Sequence, residues 1–219
     1  MALLARWLSS EADPPGLYTA LALTMGLLYL LIVFVVQPVL LRRRTGRSAW
    51  LASLGSTRWE QSANLLFLLG CGLDVGNPAL ALTGAVHPLV LPGQPIVLII
   101  AASVVFTASL ALAVGSQWVM GEAWRTGIDP QHPTRLITSG PFRLVRNPTY
   151  TSLLACSLTL GLLVPTPLAA VGVLICLAAL QVQTRLVEEP HLRQVHGEAY
   201  QRYAAHVGRF LPALGRLAP

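Results

Sequence analysis

The sequence contains no lysine: all 15 of its basic residues are arginine. That excludes chemistry needing a lysine amine, including Schiff-base catalysis, pyridoxal phosphate attachment and a P-loop. Charge of either sign is scarce at 11% of the chain, where a water-soluble domain carries about 25%. Cysteine is scarce too. Cys71, Cys156 and Cys176 lie in apolar runs with no CxxC or Cys/His spacing, so neither a disulfide framework nor a metal site is predicted. No HExxH or GxSxG occurs, which leaves protease and esterase chemistry unsupported. What is abundant is apolar surface: 54% of the residues are hydrophobic and the mean hydropathy is +0.61. Disorder needs low hydrophobicity, and 219 residues suit one domain. The composition predicts an all-α integral membrane protein.

A spanning helix needs about 20 mostly apolar residues. Residues 17–41 qualify and end in Arg42-Arg43-Arg44. Residues 61–75 form a short second run that extends through Glu60 and Gly76, and Pro95–Met120 form a third. Runs 150–164 and 168–187 flank Pro165-Thr166-Pro167, a tight connector that predicts an antiparallel hairpin. Segment 78–91 is apolar, but it is below spanning length and interrupted by His87-Pro88. It reads as an outer loop or a partly re-entrant segment.

Arginine placement sets the topology. With five spans, every arginine except Arg6 falls on one side of the membrane. The positive-inside rule then puts that side, with the C-terminus, in the cytoplasm, and the N-terminus outside, for a protein of the inner or plasma membrane. Contact with anionic membrane lipids accounts for the net charge of +6, so a nucleic-acid partner is not invoked. Residues 1–120 would be three spans. Residues 121–219 would be two more with the polar, motif-like sequence and a cytoplasmic amphipathic C-terminal helix.

That polar sequence sits in two stretches, 121–150 and 185–212, on the same side of the membrane. The hairpin between them should bring Arg143, Arg146, Asn147 and Tyr150 close to Arg185, Glu188 and Glu189. Ser139-Gly140-Pro141 reads as a turn with close backbone approach. Asn147-Pro148 opens a helix whose free N–H groups favour anions, and arginine adds a bidentate carboxylate binder. Opposite, Glu188-Glu189 offers acceptors for an ammonium or for ribose hydroxyls, at a corner that Pro190 should make by breaking or kinking the helix. Carboxylate, ammonium and ribose together describe S-adenosylmethionine.

Taken in order, TRLITSGPFRLVRNPTY, an apolar hairpin, EEPHL, HGEAYQRY and VGRFLP resemble the isoprenylcysteine carboxyl methyltransferase family and the related membrane phospholipid methyltransferases. The resemblance covers roughly the last hundred residues. It implies a cofactor pocket lined by Leu136, Ile137, Phe142, the Asn147-Pro148-Thr149-Tyr150 turn and Glu188 or Glu189, with Gly140 and Arg146 alongside. Arg185 is the nearest match to an arginine placed near substrate in that family, and Glu189 or Glu188 is the first choice of base. Two positions depart from the family: Asn147 stands where eukaryotic members have histidine, and Phe142 where the family has tyrosine. The implied activity is methyl transfer from S-adenosylmethionine to a lipophilic acceptor, either prenylcysteine carboxylate-like or lipid-like. A nicotinamide-dependent reductase of the sterol-reductase type is an alternative, as is a non-catalytic membrane binding protein. With no strand-linked GxGxxG, a soluble Rossmann-type methyltransferase is excluded.

Plainer roles compete for several of these residues. Arg143 and Arg146 also fit as positive-inside anchors, and Trp118 and Trp124 as an interfacial aromatic belt. Tyr200, Tyr203 and Phe210 read as packing an amphipathic tail onto the membrane face. His191, His196 and His206 fit that tail's polar side. Asp74 reads as a helix end at the outer surface.

Overall fold

The apolar runs become helices because a chain in hydrocarbon must satisfy its own backbone hydrogen bonds. The computed structural model describes residues 15–46, 57–89, 95–124 and 135–217. The helices are α1 (Pro15–Leu31), continued through a π turn (Ile32–Val36) into α2 (Gln37–Thr45), then α3 (Arg58–Leu82) and α4 (Pro95–Met120). They are followed by α5 (Pro148–Leu163) and by α6 (Pro167–Val182), which continues through a second π turn (Gln183–Glu188) into α7 (Glu189–His206). Among the described residues there is no strand, and four helical stretches are long and apolar enough to cross a bilayer: Gly16–Thr45, Arg58–Leu82, Val97–Met120 and Pro167–His206. The chain is an all-α membrane protein. The fifth expected span, α5, is shorter. Its 16 residues rise about 24 Å, below the ~30 Å hydrocarbon thickness.

Pro78 and Pro190 both lie within helical paths. Pro78 lies inside α3, which runs on to Leu82, so only the rest of the 78–91 segment is non-helical among its described residues. The preceding Asn77 is buried and donates to the Val164 carbonyl (2.9 Å), while Thr166 Oγ1 donates to Asn77 Oδ1 (2.5 Å). These bonds fasten the far end of α3 to the α5–α6 connector, and the Leu89 N–H adds a bond to the Pro165 carbonyl (2.8 Å). Pro190 was expected to break or kink the fifth helix. Instead the helical path passes it, because the π turn at Gln183–Glu188 comes immediately before. The same device precedes Pro38. Proline removes one N–H from the ladder, and a π turn re-spaces the carbonyls around the gap. At the first turn, Gln117 Nε2 donates to the Val33 carbonyl (3.2 Å). The direction change comes later, at Gly197 (φ +52°, ψ −129°).

The core lies where α1, α3, α5 and α6 meet, around Met25, Tyr29, Cys71, Cys156, Leu160, Cys176 and Leu180. Helices α3 and α6 approach closely through small residues: a Cβ on Gly70 would stand 3.0 Å from the Cys176 nitrogen, and one on Gly172 would stand 3.0 Å from Asp74 Oδ1. Asp74 is thus not a helix end at the surface. It is buried within α3, lining a small cavity with Tyr29, Cys71 and Cys156. Leu65, Leu68, Val104 and Leu174 are exposed on the bundle's outside, where lipid meets them. Trp118 is half-exposed beneath the Arg44 guanidinium (4.0 Å to the ring centroid) and donates to Gln37 Oε1 (3.0 Å). Trp124 departs from the aromatic-belt reading: it is buried beside Leu41.

Candidate functional site

The polar end of the α5–α6 hairpin is built by a short pairing between distant segments. Gly140 has φ +58°, a conformation that L side chains rarely adopt, and a Cβ there would stand 3.1 Å from Val119 Cγ2. It turns the chain into a 3₁₀ turn, Gly140–Arg143, that buries Phe142. Val145 then bridges to Gly208 in parallel. The Arg146 N–H donates to the Gly208 carbonyl (2.8 Å), the Asn147 N–H to the Arg209 carbonyl (3.1 Å), and Thr151 Oγ1 to the Phe210 carbonyl (2.7 Å). Gly208 is required for a different reason from Gly140. A Cβ there would lie 2.1 Å from the Leu211 carbonyl oxygen and 2.7 Å from that of Leu214, inside backbone that cannot retreat. The motifs RNPTY and VGRFLP are therefore two halves of one joint.

The joint closes over a buried carboxylate. Glu189 receives Arg146 Nη2 (2.8 Å), Arg209 Nε (2.7 Å) and Arg209 Nη2 (3.1 Å). All three residues are at most 8% exposed. Arg146 also donates to the carbonyls of Ala204 (3.0 Å), Val207 (2.5 Å) and Gly215 (3.0 Å), so one guanidinium gathers the end of α7 and the tail beyond it. Burial pushes the Glu189 carboxyl up, but the guanidiniums of Arg209 and Arg146 outweigh it and hold the group below the usual carboxylate range. Arg146 and Glu189, placed by sequence on opposite sides of a ligand, are bonded to each other.

Glu188 has different company. This residue lies beyond the apolar run that ends at 187, and it is half-buried. It accepts a very short hydrogen bond from Tyr150 Oη and a longer one from Gln183 Nε2 (3.4 Å). Both donors are neutral, and burial pushes the carboxyl up to about 7, with the nearby charges of Glu189 and Glu60 adding to the rise. Gln183 Oε1 is buried without a hydrogen-bond partner. The Tyr150 ring meets Phe210 edge-on, with centroids 6.4 Å apart.

Of the residues singled out from sequence, Arg146, Asn147, Pro148, Tyr150, Glu188 and Glu189 come together at this end of the hairpin. Asn147 caps α5 and its side chain donates to the Arg209 carbonyl (3.4 Å). Leu136 and Ile137 are half-buried on the segment leading to Gly140. Arg185 is not drawn in: it is exposed and makes no hydrogen bond or ion pair among the described residues, and Arg143 is exposed as well. Tyr200, Tyr203 and Phe210 depart from the membrane-face reading. Tyr200 is 1% exposed, Tyr203 Oη donates to the Phe142 carbonyl (2.6 Å), and Phe210 is buried against Tyr150, so the tail packs on the joint. Sequence reasoning missed Arg209, Gln183 and Glu60. Arg209 stood within the quoted VGRFLP motif. Glu60 carried only the Thr57-x-x-Glu60 pattern of a helix start.

No protein of curated function matches the chain. Residues 97–199 match the family model described as phospholipid methyltransferase, a stretch running from α4 through the hairpin into α7. It takes in Arg146, Tyr150, Glu188 and Glu189 but neither Glu60 nor Arg209. The resemblance drawn from RNPTY and EEPHL thus meets an independent match over the same residues: this segment is similar to the phospholipid methyltransferase family, which includes the isoprenylcysteine carboxyl methyltransferases.

Proposed function

We propose that this membrane protein is a methyltransferase using S-adenosylmethionine, with a lipophilic acceptor reached from the bilayer and the site on the cytoplasmic face. The observation that carries this reading is the acidic corner at Glu188 within the family segment. A half-buried carboxylate held, among the described residues, by neutral donors, beside an unpartnered amide oxygen on Gln183, suits a ligand bringing both a cation and hydroxyl groups. Bound there, S-adenosylmethionine supplies an electrophilic methyl group on a sulfonium.

In this proposal the chain's residues divide the work. Tyr150, Glu188, Asn147 and Pro148 form one wall, and the 136–142 segment with Leu136, Ile137, Gly140 and Phe142 forms the other. Residues 121–219 are the cofactor-binding region, against which residues 1–120 shape the acceptor's approach. Arg146 and Glu189 act as positioning residues, because their hydrogen bonds are spent on each other and on the backbone of the joint. Arg185 and Arg143, with exposed guanidiniums, are the ones left to meet a ligand's or lipid's anionic group.

Methyl transfer is an in-line displacement that depends on alignment in a dry site. A carboxylate or thiolate acceptor needs no base. A neutral amine or hydroxyl acceptor does, and Glu188 suits the role better than Glu189, since two guanidiniums already hold the latter's charge. The experiment is thermal melting of the detergent-purified protein with S-adenosylmethionine and, separately, with reduced nicotinamide cofactor, since a ligand that prefers the folded state raises the melting temperature. Stabilisation by S-adenosylmethionine alone is expected. Stabilisation by the nicotinamide alone, or by neither, overturns the proposal.

A further inference from the structure

Tyr29 lies on α1, outside the family-matched segment, and is 1% exposed. A ring needed only for packing has no use for a hydroxyl among apolar helices, where each polar group must find a partner. The Tyr29 hydroxyl lies 2.7 Å from Ser152 Oγ on α5, and Ser152 Oγ donates to the Thr149 carbonyl (2.6 Å). A serine has one proton to give, so Ser152 spends it on Thr149 and accepts from Tyr29. The bond therefore runs from α1 into the start of α5. The tail holds the same stretch of helix from elsewhere, through the Asn147 N–H on the Arg209 carbonyl (3.1 Å) and Thr151 Oγ1 on the Phe210 carbonyl (2.7 Å). Tyr150 belongs to this stretch, and its Oη donates to Glu188.

Resting on the methyltransferase reading above, we infer that Tyr29 is a positioning residue for the cofactor site: by fixing Ser152 and the Thr149 carbonyl, it sets the rotation of the start of α5 and so aims the Tyr150 hydroxyl at Glu188. Tyr150 reaches Glu188 at the end of a long side chain, so a slight turn of the helix displaces its hydroxyl more than its backbone. The N-terminal helices then do more than shape the acceptor's approach. Helix α1 supplies a bond on which a tyrosine of the family-matched segment depends.

The experiment measures S-adenosylmethionine affinity of the full-length protein in detergent for the wild type, Tyr29→Phe, Ser152→Ala and Tyr150→Phe, and for each of the first two variants combined with the third. Phenylalanine keeps the ring and its packing while removing the bond, and S152A cuts the same link from the α5 side if Y29F does not fold. Y29F and S152A are each expected to weaken binding about three- to tenfold, the effect of one lost hydrogen bond. The double variants separate positioning from general support of the fold. Acting through Tyr150, Tyr29 has nothing left to aim once that hydroxyl is gone, so Y29F/Y150F and S152A/Y150F bind no more weakly than Y150F alone. Independent effects would instead multiply. Losses that multiply, or wild-type affinity in Y29F or in S152A, overturn the inference alone. A wild type that does not bind S-adenosylmethionine overturns the methyltransferase reading as well.

Discussion

Glu188 and Glu189 are adjacent in sequence and opposite in circumstance. Glu189 is sealed under the joint, where Arg146 and Arg209 both donate to it and its negative charge is fully matched. Glu188 accepts from a phenol and an amide, and no cationic group pairs with it among the described residues. The difference teaches how to divide a polar cluster inside a membrane protein. A charge whose partners all come from the chain holds the chain together, and a charge lacking them is waiting for something else.

The strongest way to break this comparison is to remove the sealed carboxylate. Glu189→Ala strands two guanidiniums in a buried site, and losing one side of a buried ion pair costs about 3–5 kcal/mol. A large fall in the melting temperature of the unliganded protein is expected. A melting temperature within a degree of wild type would remove the distinction between the two glutamates. Next comes the joint itself. Gly208→Ala places a methyl group 2.1 Å from a carbonyl oxygen and should cost about 1–3 kcal/mol, the range seen for overpacking. Proteolysis releasing the tail beyond residue 207 more readily than in wild type would register it.

The smallest effect is the most informative about ligand. With its carboxyl pushed up to about 7, Glu188 is mostly neutral at pH 6 and mostly charged at pH 8. Affinity for S-adenosylmethionine should therefore rise roughly tenfold across that window, and Glu188→Gln should flatten the profile. The sign for the unliganded fold is the reverse: a raised folded-state value stabilises at low pH, and that contribution fades as pH climbs from the ordinary carboxylate range toward 7. A wild-type profile as flat as that of the variant would detach Glu188 from the cation.

Much of the architecture was legible because long apolar runs can be read directly along the chain. The runs at 17–41, 61–75, 95–120, 150–164 and 168–187 all turned out helical, and the Pro165-Thr166-Pro167 hairpin did bring Arg146 and Tyr150 to Glu189 and Glu188. Pro190 misled. It was read as a break or kink from its missing N–H alone, whereas the π turn before it lets the helical path continue. Asp74 misled in the same way, since a charge on a helix shows its position in the run but not which neighbouring helix covers it. At the site, the motifs named the right neighbourhood without revealing who bonds to whom. Nothing in RNPTY and EEPHL says that the arginine and the second glutamate meet each other, because the deciding partner, Arg209, enters from a third stretch of chain.

That second π turn has a consequence for how the site tolerates change. Each residue added to a helical path rotates everything downstream by about 100° about the axis. The extra residue accommodated between Gln183 and Glu188 thus sets the compass bearing of α7, and with it which glutamate looks into the joint and which looks away. Substitutions there alter chemistry one position at a time. A single deletion would instead swing the entire tail to a new heading, so along these six residues the count of the chain matters more than its letters.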